Sequence, residues 1–279
     1  MKPGTIQTLE VIRKIDTGYV LEGDVLLHHN ETENELEHGQ QVEVFLYTDK
    51  KGKTVASGKV PFIQMDHYGW ANVVDVIPGL GVFVDIGTTK EILVSIDDLP
   101  LFERVWPING DKLFVTLGHD RKGRLLAIPG SENAFDHLWE TASEDLLNKS
   151  VNGRIYRTSK EGAAVITENH HRGFIHHTER KTEPRLGELV HGRIIDVKDD
   201  GSINISLRPL KKESRIEDAD SILMHLEQNG GVVPFTDKSE PEDIRGTFNI
   251  SKAAFKRALG KLMKDGKIEQ REGNTYLKK

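Results

Sequence analysis

The fold is decided by residues Gly187 to Pro209, which read GELVHGRIIDVKDDGSINISLRP. The run Val190 to Val197 favours one β-strand, and Ile203 to Leu207 alternates apolar and polar residues, as a half-buried strand does. Asp199-Asp200-Gly201 between them has the composition of a tight hairpin turn. Pro209 cannot donate to a strand ladder, so the second strand ends before it.

Three further strands are predicted upstream of this hairpin, at Val151 to Ile155, Glu161 to Val165 and Gly173 to His177. Five strands within about sixty residues are the content of a small Greek-key barrel of the OB type. The order V-x-G-x-I, E-G-A-A-V, G-F-I-H, G-x-x-V-x-G-x-I and G-x-I-x-I-S-L resembles the S1 RNA-binding domain. This resemblance covers Asn148 to Leu210.

The same plan occurs twice more along the chain, at a spacing of about seventy residues, which suits whole small barrels rather than a solenoid. The second copy is the clearest, with G-V-F-V-D-I-G from Gly81 and D-R-K-G-R from Asp120. We therefore predict S1-like barrels at residues 1–64, 65–130 and 148–210. Apolar residues at helical spacing predict a connecting helix over 131–147, with Trp139 packed against a barrel.

The last part of the chain follows a different pattern. A helix ending at Asn229-Gly230-Gly231, a short strand, two more helices and a hairpin around Gly273-Asn274 form the winged-helix order, predicted over 214–279. Ser251 is the predicted cap of the third helix. The fold class is thus mainly β with a smaller α/β tail: three tandem OB-fold, S1-like, five-stranded barrels followed by a winged helix.

Composition excludes several classes of protein. The chain has 279 residues, of which 37% are hydrophobic and 29% charged, as expected of a folded soluble protein. It has no cysteine, which excludes disulfides and thiolate zinc sites and fits a reducing cytoplasm. No run is long enough to span a membrane, and no signal peptide is predicted.

Charge is distributed unevenly. The formal net charge is −6, but residues 1–210 carry 24 Lys and Arg against 32 Asp and Glu, whereas residues 251–279 carry 9 against 3. Nucleic acid would therefore be bound by the barrels through local patches and stacking, and by the tail through its positive field.

Three S1-like units followed by a winged helix, with the stretch S-K-A-A-F-K-R-A-L-G-K-L from Ser251, resemble the conserved virulence factor B family of bacterial proteins. The resemblance implies RNA binding, single-stranded RNA preferred, and a regulatory role in the bacterial cytoplasm that includes virulence genes. It implies no known reaction. The sequence also has no paired carboxylates at metal-binding spacing, no Gly-rich phosphate loop and no Ser-His-Asp or Cys-His arrangement, so we expect no enzyme activity and no cofactor.

The binding face of S1 domains gathers two aromatic residues of the second strand, a histidine of the third, and an Asp and an Arg near the last hairpin. Transferred by position, the second unit keeps Phe83, Asp120 and Arg124. The first unit keeps His28 and Asp49, has Lys53 in place of the arginine, and has Tyr19 near the aromatic positions. The third unit keeps His176.

No unit holds a full set of these residues. Leu80 and Ser95 are the departures in the second unit; Glu161, Ala164 and Ser202 are those in the third, where a stacking role is in doubt. Since the phase of a strand is not fixed by sequence, Phe83 and Tyr19 are predicted either on the binding face or inside their barrels.

In the winged helix, Lys252, Lys256, Lys261 and Lys264 lie away from the apolar side of the third helix and are predicted to contact an RNA or DNA backbone, or, alternatively, a protein partner or solvent. The pairs His28-His29, His170-His171 and His176-His177 raise the question of a metal. Neighbouring residues of a strand point to opposite faces, so each pair supplies at most one ligand, and we predict no metal site. Alternatives to a regulator are a non-enzymatic scaffold and a nuclease accessory subunit.

Overall fold

The structure is a computed structural model that describes residues 1–49, 52–209 and 211–278, with the backbone alone for residues 211–215. It divides into two units, Met1–Leu207 and Arg208–Lys279. Leu210 and Lys279, the predicted last residues of the third barrel and of the winged helix, lie outside the described residues.

Barrel 1 consists of β1 (Ile6–Ile15), β2 (Gly18–Leu21), β3 (Val25–His28), β4 (Gln41–Thr48) and β5 (Thr54–Ser57). It is closed in the order β1-β2-β3-β5-β4, and its single parallel pair joins β3 to β5. Leucine and valine side chains that alternate along the strands fill its interior.

Barrel 2 consists of β6 (Gly69–Ile77), β7 (Gly81–Asp85), β8 (Ile92–Ser95), β9 (Lys112–His119) and β10 (Leu125–Pro129). Its strands follow the same order as those of barrel 1, but β8 and β10 are not hydrogen-bonded to each other within the described chain. Barrel 2 is therefore a curved five-stranded sheet with one open seam.

Barrel 3 consists of β11 (Ser150–Thr158), β12 (Gly162–Thr167), β13 (Arg172–His176), β14 (Leu189–Val197) and β15 (Ile203–Ser206), and it is closed like barrel 1. β14 and β15 form the hairpin predicted from the decisive stretch, with Val197 paired to Ile203. Gly201 in the turn has φ of +74°, a conformation that favours glycine.

The predicted connecting helix over 131–147 is wrong. The segment contains two short 3₁₀ turns, Glu132–Phe135 and Glu144–Leu146, and no α-helix. Its apolar residues serve different surfaces: Phe135 is fully buried in an aromatic cluster between barrels 2 and 3, whereas Ala142 packs into the core of barrel 3. One helix could not reach both, so tertiary burial overrides the helical spacing.

Apolar contacts join the three barrels. Phe45 of barrel 1 is buried in the core cluster of barrel 2. Between barrels 2 and 3, Phe135 lies 4.6 Å from Phe114 and 4.8 Å from Tyr156, measured between ring centroids. Trp139 lies 6.0 Å from Tyr156, so its predicted packing against a barrel is confirmed.

The second unit has the predicted order: α1 (Lys211–Gln228), β16 (Val232–Val233), α2 (Pro241–Phe248), α3 (Lys252–Lys264), β17 (Ile268–Arg271) and β18 (Asn274–Leu277). Ser251 caps α3 by accepting a hydrogen bond from the backbone N–H of Ala254. The apolar sides of the helices form a core of their own around Phe255. Among the described residues, no helix has the length and apolar character of a membrane span.

Candidate nucleic-acid interface

One cap recurs at the end of the third strand of each barrel. The Nδ1 atom of His28 accepts from the backbone N–H of Asn30 at 3.2 Å, and that of His176 accepts from Thr178 at 3.4 Å. Ser95 does the same in barrel 2, where its hydroxyl accepts from Asp97 at 3.3 Å. The predicted binding histidines therefore shape the following turn, and their rings remain exposed to solvent.

In the last hairpin of each barrel, an aspartate carboxylate accepts a hydrogen bond from the backbone. Asp49 accepts from the backbone N–H of Lys53 at 2.9 Å, and Asp200 accepts from that of Ser202 at 2.9 Å. Asp120 accepts from the backbone of both Lys122 and Arg124 at 2.8 Å. These carboxylates hold the hairpins in shape.

In the second hairpin an arginine side chain also binds this carboxylate. The guanidinium of Arg124 donates from Nε to Asp120 at 2.6 Å, while 70% of the Arg124 side chain remains exposed. The hydrogen bonds from Arg124, backbone first and then side chain, lower the pKa of Asp120 below its ordinary value. Lys53 of barrel 1 extends into solvent, with its Nζ 3.9 Å from Asp24.

Phe83 lies on the outer face of barrel 2. Val82 and Val84 on either side of it are fully buried, so the intervening ring points away from the core and is half-buried. It lines a cleft of about 290 Å³ together with β8, the hairpin residues Arg124 to Leu126, and Tyr47 to Asp49 of barrel 1. Asp49 of barrel 1 therefore lines the cleft of barrel 2.

Tyr47 and Lys90 in this cleft were missed by sequence reasoning. The Tyr47 hydroxyl donates to the buried carboxylate of Glu31 at 3.0 Å, and burial, with the charge of Glu31, raises the pKa of Tyr47 to about 12. No local signal marks Tyr47 because its place depends on how two barrels pack.

Barrel 3 has a groove of about 180 Å³ in the corresponding place. Ala164 forms part of it and pairs across the strands with Arg157 and Phe174. Phe174 therefore restores an aromatic ring to a face on which Ala164 replaces one. The alternation of G-F-I-H, with buried Ile175 beside Phe174, is the signal that could have identified it.

An acidic side chain from the segment between barrels crosses this groove. Glu132 forms an ion pair with Arg157 at 3.3 Å and another with Arg172. Lys198 also lines the groove. Two arginines that converge on one carboxylate are an arrangement that also suits a phosphate.

Tyr19, a predicted RNA contact, does not lie on the outer face of barrel 1. Its side chain is 1% exposed, within the core of barrel 1, and its hydroxyl accepts from the backbone N–H of Leu36 at 3.2 Å. A buried ring cannot stack on a base, so the interior alternative holds for Tyr19.

The lysines of α3 differ in their surroundings. Lys256 and Lys264 are exposed, as is Arg257, which the prediction omitted. Lys261 forms an ion pair with Asp265 at 2.7 Å, and Lys252 lies 3.4 Å from the carbonyl oxygen of Lys238. Three cations of this helix are therefore most open to a phosphate backbone. Across the described residues, no three histidine or acidic side chains converge as metal ligands would.

Four family models match the chain. An S1 domain matches residues 3–59, the first S1-like domain of CvfB matches 68–128, the second domain of the virulence regulatory factor CvfB matches 135–209, and a CvfB-like winged helix domain matches 220–277. Each stretch coincides with one of the units described above.

Whole proteins match as well. The "Uncharacterized protein YitL" of Bacillus subtilis is 48% identical over 100% of this chain and 95% of that protein. "Conserved virulence factor B" of Staphylococcus aureus is 36% identical over 99% of this chain and 94% of that protein. A crystal structure of a multidomain protein with nucleic acid binding domains from Streptococcus pneumoniae is 37% identical, with a TM-score of 0.66 over 99% of this chain and 98% of that one.

Proposed function

Because the chain belongs to the conserved virulence factor B family, we propose that it is a cytoplasmic, non-enzymatic regulator that binds single-stranded RNA through its barrels, with help from the basic winged helix. The regulation would act after transcription and extend to virulence genes, in keeping with the name of the Staphylococcus aureus relative. Duplex DNA or a protein is a further candidate partner of the winged helix.

One observation carries the proposal. Barrels 2 and 3 each have a groove beside the third strand and the last hairpin in which an aromatic ring lies near cationic side chains. In barrel 2 the ring is Phe83 of the second strand, with Arg124, and in barrel 3 it is Phe174 of the third strand, with Arg157 and Arg172. Stacking on a ring plus a cation for the backbone is the arrangement by which OB folds bind single strands. Two such grooves in one unit also favour avidity.

The test is a binding titration of the full chain with single-stranded RNA, double-stranded RNA and duplex DNA at about 50 and 200 mM salt. We expect single-stranded RNA to bind best. Phe83→Ala should weaken binding roughly 5- to 150-fold with little change in the salt slope, because stacking contributes about 1–3 kcal/mol per base. Arg124→Ala should lower the slope by about 0.7, the value of one phosphate contact on a single strand.

Phe62→Ala is the matched control, because the Phe62 side chain is 78% exposed and lies outside both grooves. It should bind like the unmodified chain. Equal affinity for Phe83→Ala and Phe62→Ala, in folded proteins, would contradict the role given to the groove of barrel 2.

A further inference from the structure

The open seam of barrel 2 coincides with its cleft. In barrel 3, β13 and β15 close the barrel by pairing Gly173 with Ile203 and Phe174 with Asn204. Counting from the hairpin and from the capping residue, the corresponding positions of barrel 2 are Ile92, Leu93, Leu125 and Leu126, and all four line the cleft. In the part of barrel 2 that the structure describes, β8 and β10 lie side by side without the hydrogen-bonded ladder that their counterparts form, and the cleft lies over this seam.

Barrel 1 supplies the opposite wall of this cleft. Tyr47 and Thr48, at the end of β4, line the cleft. Two attachments hold that wall against barrel 2. The carboxylate of Glu31, 6% exposed, accepts from the hydroxyls of both Tyr47 and Thr89. The Nζ atom of Lys90 donates to the carbonyl oxygen of Thr48. The cleft is therefore a fixed joint between two barrels.

The chemistry of the lining suits an uncharged, flat group. Leu93, Leu125 and the ring of Phe83 give the lining an apolar surface. Among the described residues of the lining, Lys90 and Arg124 are matched in number by Asp49 and Glu91. A base offers the apolar part of the cleft a face to stack, while the exposed guanidinium of Arg124 remains available to the phosphate of the same nucleotide.

Size limits the occupant to one such group. The cleft of about 290 Å³ lies just below the roughly 300–1,000 Å³ range of ligand pockets. It has room for one nucleotide and not for a run of stacked bases.

We propose that the cleft between barrels 1 and 2 is a pocket for a single unpaired nucleobase, stacked on Phe83 and enclosed by Tyr47 and Thr48 of barrel 1. This inference rests on the proposed function, and it adds that barrel 1 takes part in a site that the sequence places wholly on barrel 2.

Photo-crosslinking of the full, unmodified chain tests the shared site directly. A short single-stranded RNA carrying one 4-thiouridine is irradiated with the protein, and the tryptic peptides are analysed by mass spectrometry. We expect crosslinks to Tyr47 or Thr48, in the peptide of residues 15–50, and to the peptide of residues 60–90, which contains Phe83. A crosslink at His28 in the first peptide would report the face of barrel 1 instead.

A substitution that fills the pocket from barrel 1 is the second test. Thr48→Trp places bulk in the cleft and leaves every residue of barrel 2 unchanged, so it should lower affinity for the same RNA at least about fivefold, as loss of one stacked base does. Gln41→Trp is the matched control, since Gln41 is an exposed, uncharged residue of the same strand outside the cleft. Thermal melting of both variants checks their folding.

The outcomes separate the two proposals. Crosslinks in residues 60–90 but not at Tyr47 or Thr48 overturn the shared pocket and leave RNA binding by barrel 2 standing. Unchanged affinity of a folded Thr48→Trp variant overturns it as well. Failure of the unmodified chain to bind any single-stranded RNA overturns the proposed function itself.

Discussion

Phe83 and Tyr19 are both aromatic residues on the second strand of a barrel, and the fold uses them in opposite ways. Phe83 points outward between two buried valines, whereas Tyr19 is buried with its hydroxyl on the Leu36 backbone. Substitution of Tyr19 should therefore change stability, whereas substitution of Phe83 should change RNA affinity.

Tyr19→Phe keeps the ring and removes the acceptor for the buried Leu36 N–H, so it should lower the free energy of unfolding by about 1–3 kcal/mol. RNA affinity should not change, because the ring has no access to ligand. Chemical denaturation and an RNA titration of the same sample measure both quantities. Phe83→Ala is the natural comparison, with the opposite pattern expected, and a loss of RNA affinity in a stably folded Tyr19→Phe variant would contradict the assignment.

The side of the strand on which each of these two rings lies could not be predicted from the sequence. In β7 the run V-F-V is apolar throughout, so the sequence leaves the side of Phe83 open, and the burial of Val82 and Val84 decides it. In β2 all four residues of G-Y-V-L are buried, and a strand covered on both faces shows no alternation from which its phase can be taken. The side of Tyr19 was therefore open until the barrel was known.

At the scale of elements, the segment between barrels 2 and 3 shows the limit of helical spacing as a signal. Its apolar residues have the helical period, yet Phe135 and Ala142 are buried in different clusters. The hairpins and the winged helix were predictable because turn residues and caps act locally, as Gly201 and Ser251 do. The place of Tyr47 was not predictable, because it follows from contacts between barrels 1 and 2.

Glu132 in this segment should act as a competitor for the groove of barrel 3. Since its carboxylate lies on both Arg157 and Arg172, Glu132→Gln should raise affinity for single-stranded RNA at low salt. The salt slope should steepen by up to about 1.4, because two arginines become available and each phosphate contact on a single strand adds about 0.7. A titration at several salt concentrations measures the change.

Glu144→Gln makes the same change in charge at an exposed position of the same segment. The salt slope of this variant should equal that of the unmodified chain. If both variants gain equally, the effect is one of net charge, and the groove of barrel 3 has no special part in it.

At the scale of the whole molecule, charge separates the two units by sign. Residues 1–210 carry eight more acidic than basic residues, and residues 251–279 carry six more basic than acidic ones. An acidic set of barrels must rely on its grooves, whereas the tail offers RNA a field that depends on salt. The two units are thus expected to contribute different kinds of affinity to one complex.

The cations of α3 should contribute the salt-dependent part of RNA affinity. In the full chain, Lys256→Ala combined with Lys264→Ala removes two exposed cations of α3. Lysine contacts phosphate as a point charge, so we expect the salt slope of RNA binding to fall by about 1.4 and the affinity to fall far more at about 50 mM than at about 200 mM salt. Lys14→Ala combined with Lys59→Ala makes the same change in net charge at exposed positions in the first 64 residues. If both pairs reduce the slope equally, only overall charge matters. If neither does, the cationic side of α3 serves a protein partner or solvation, and RNA binding belongs to the barrels alone.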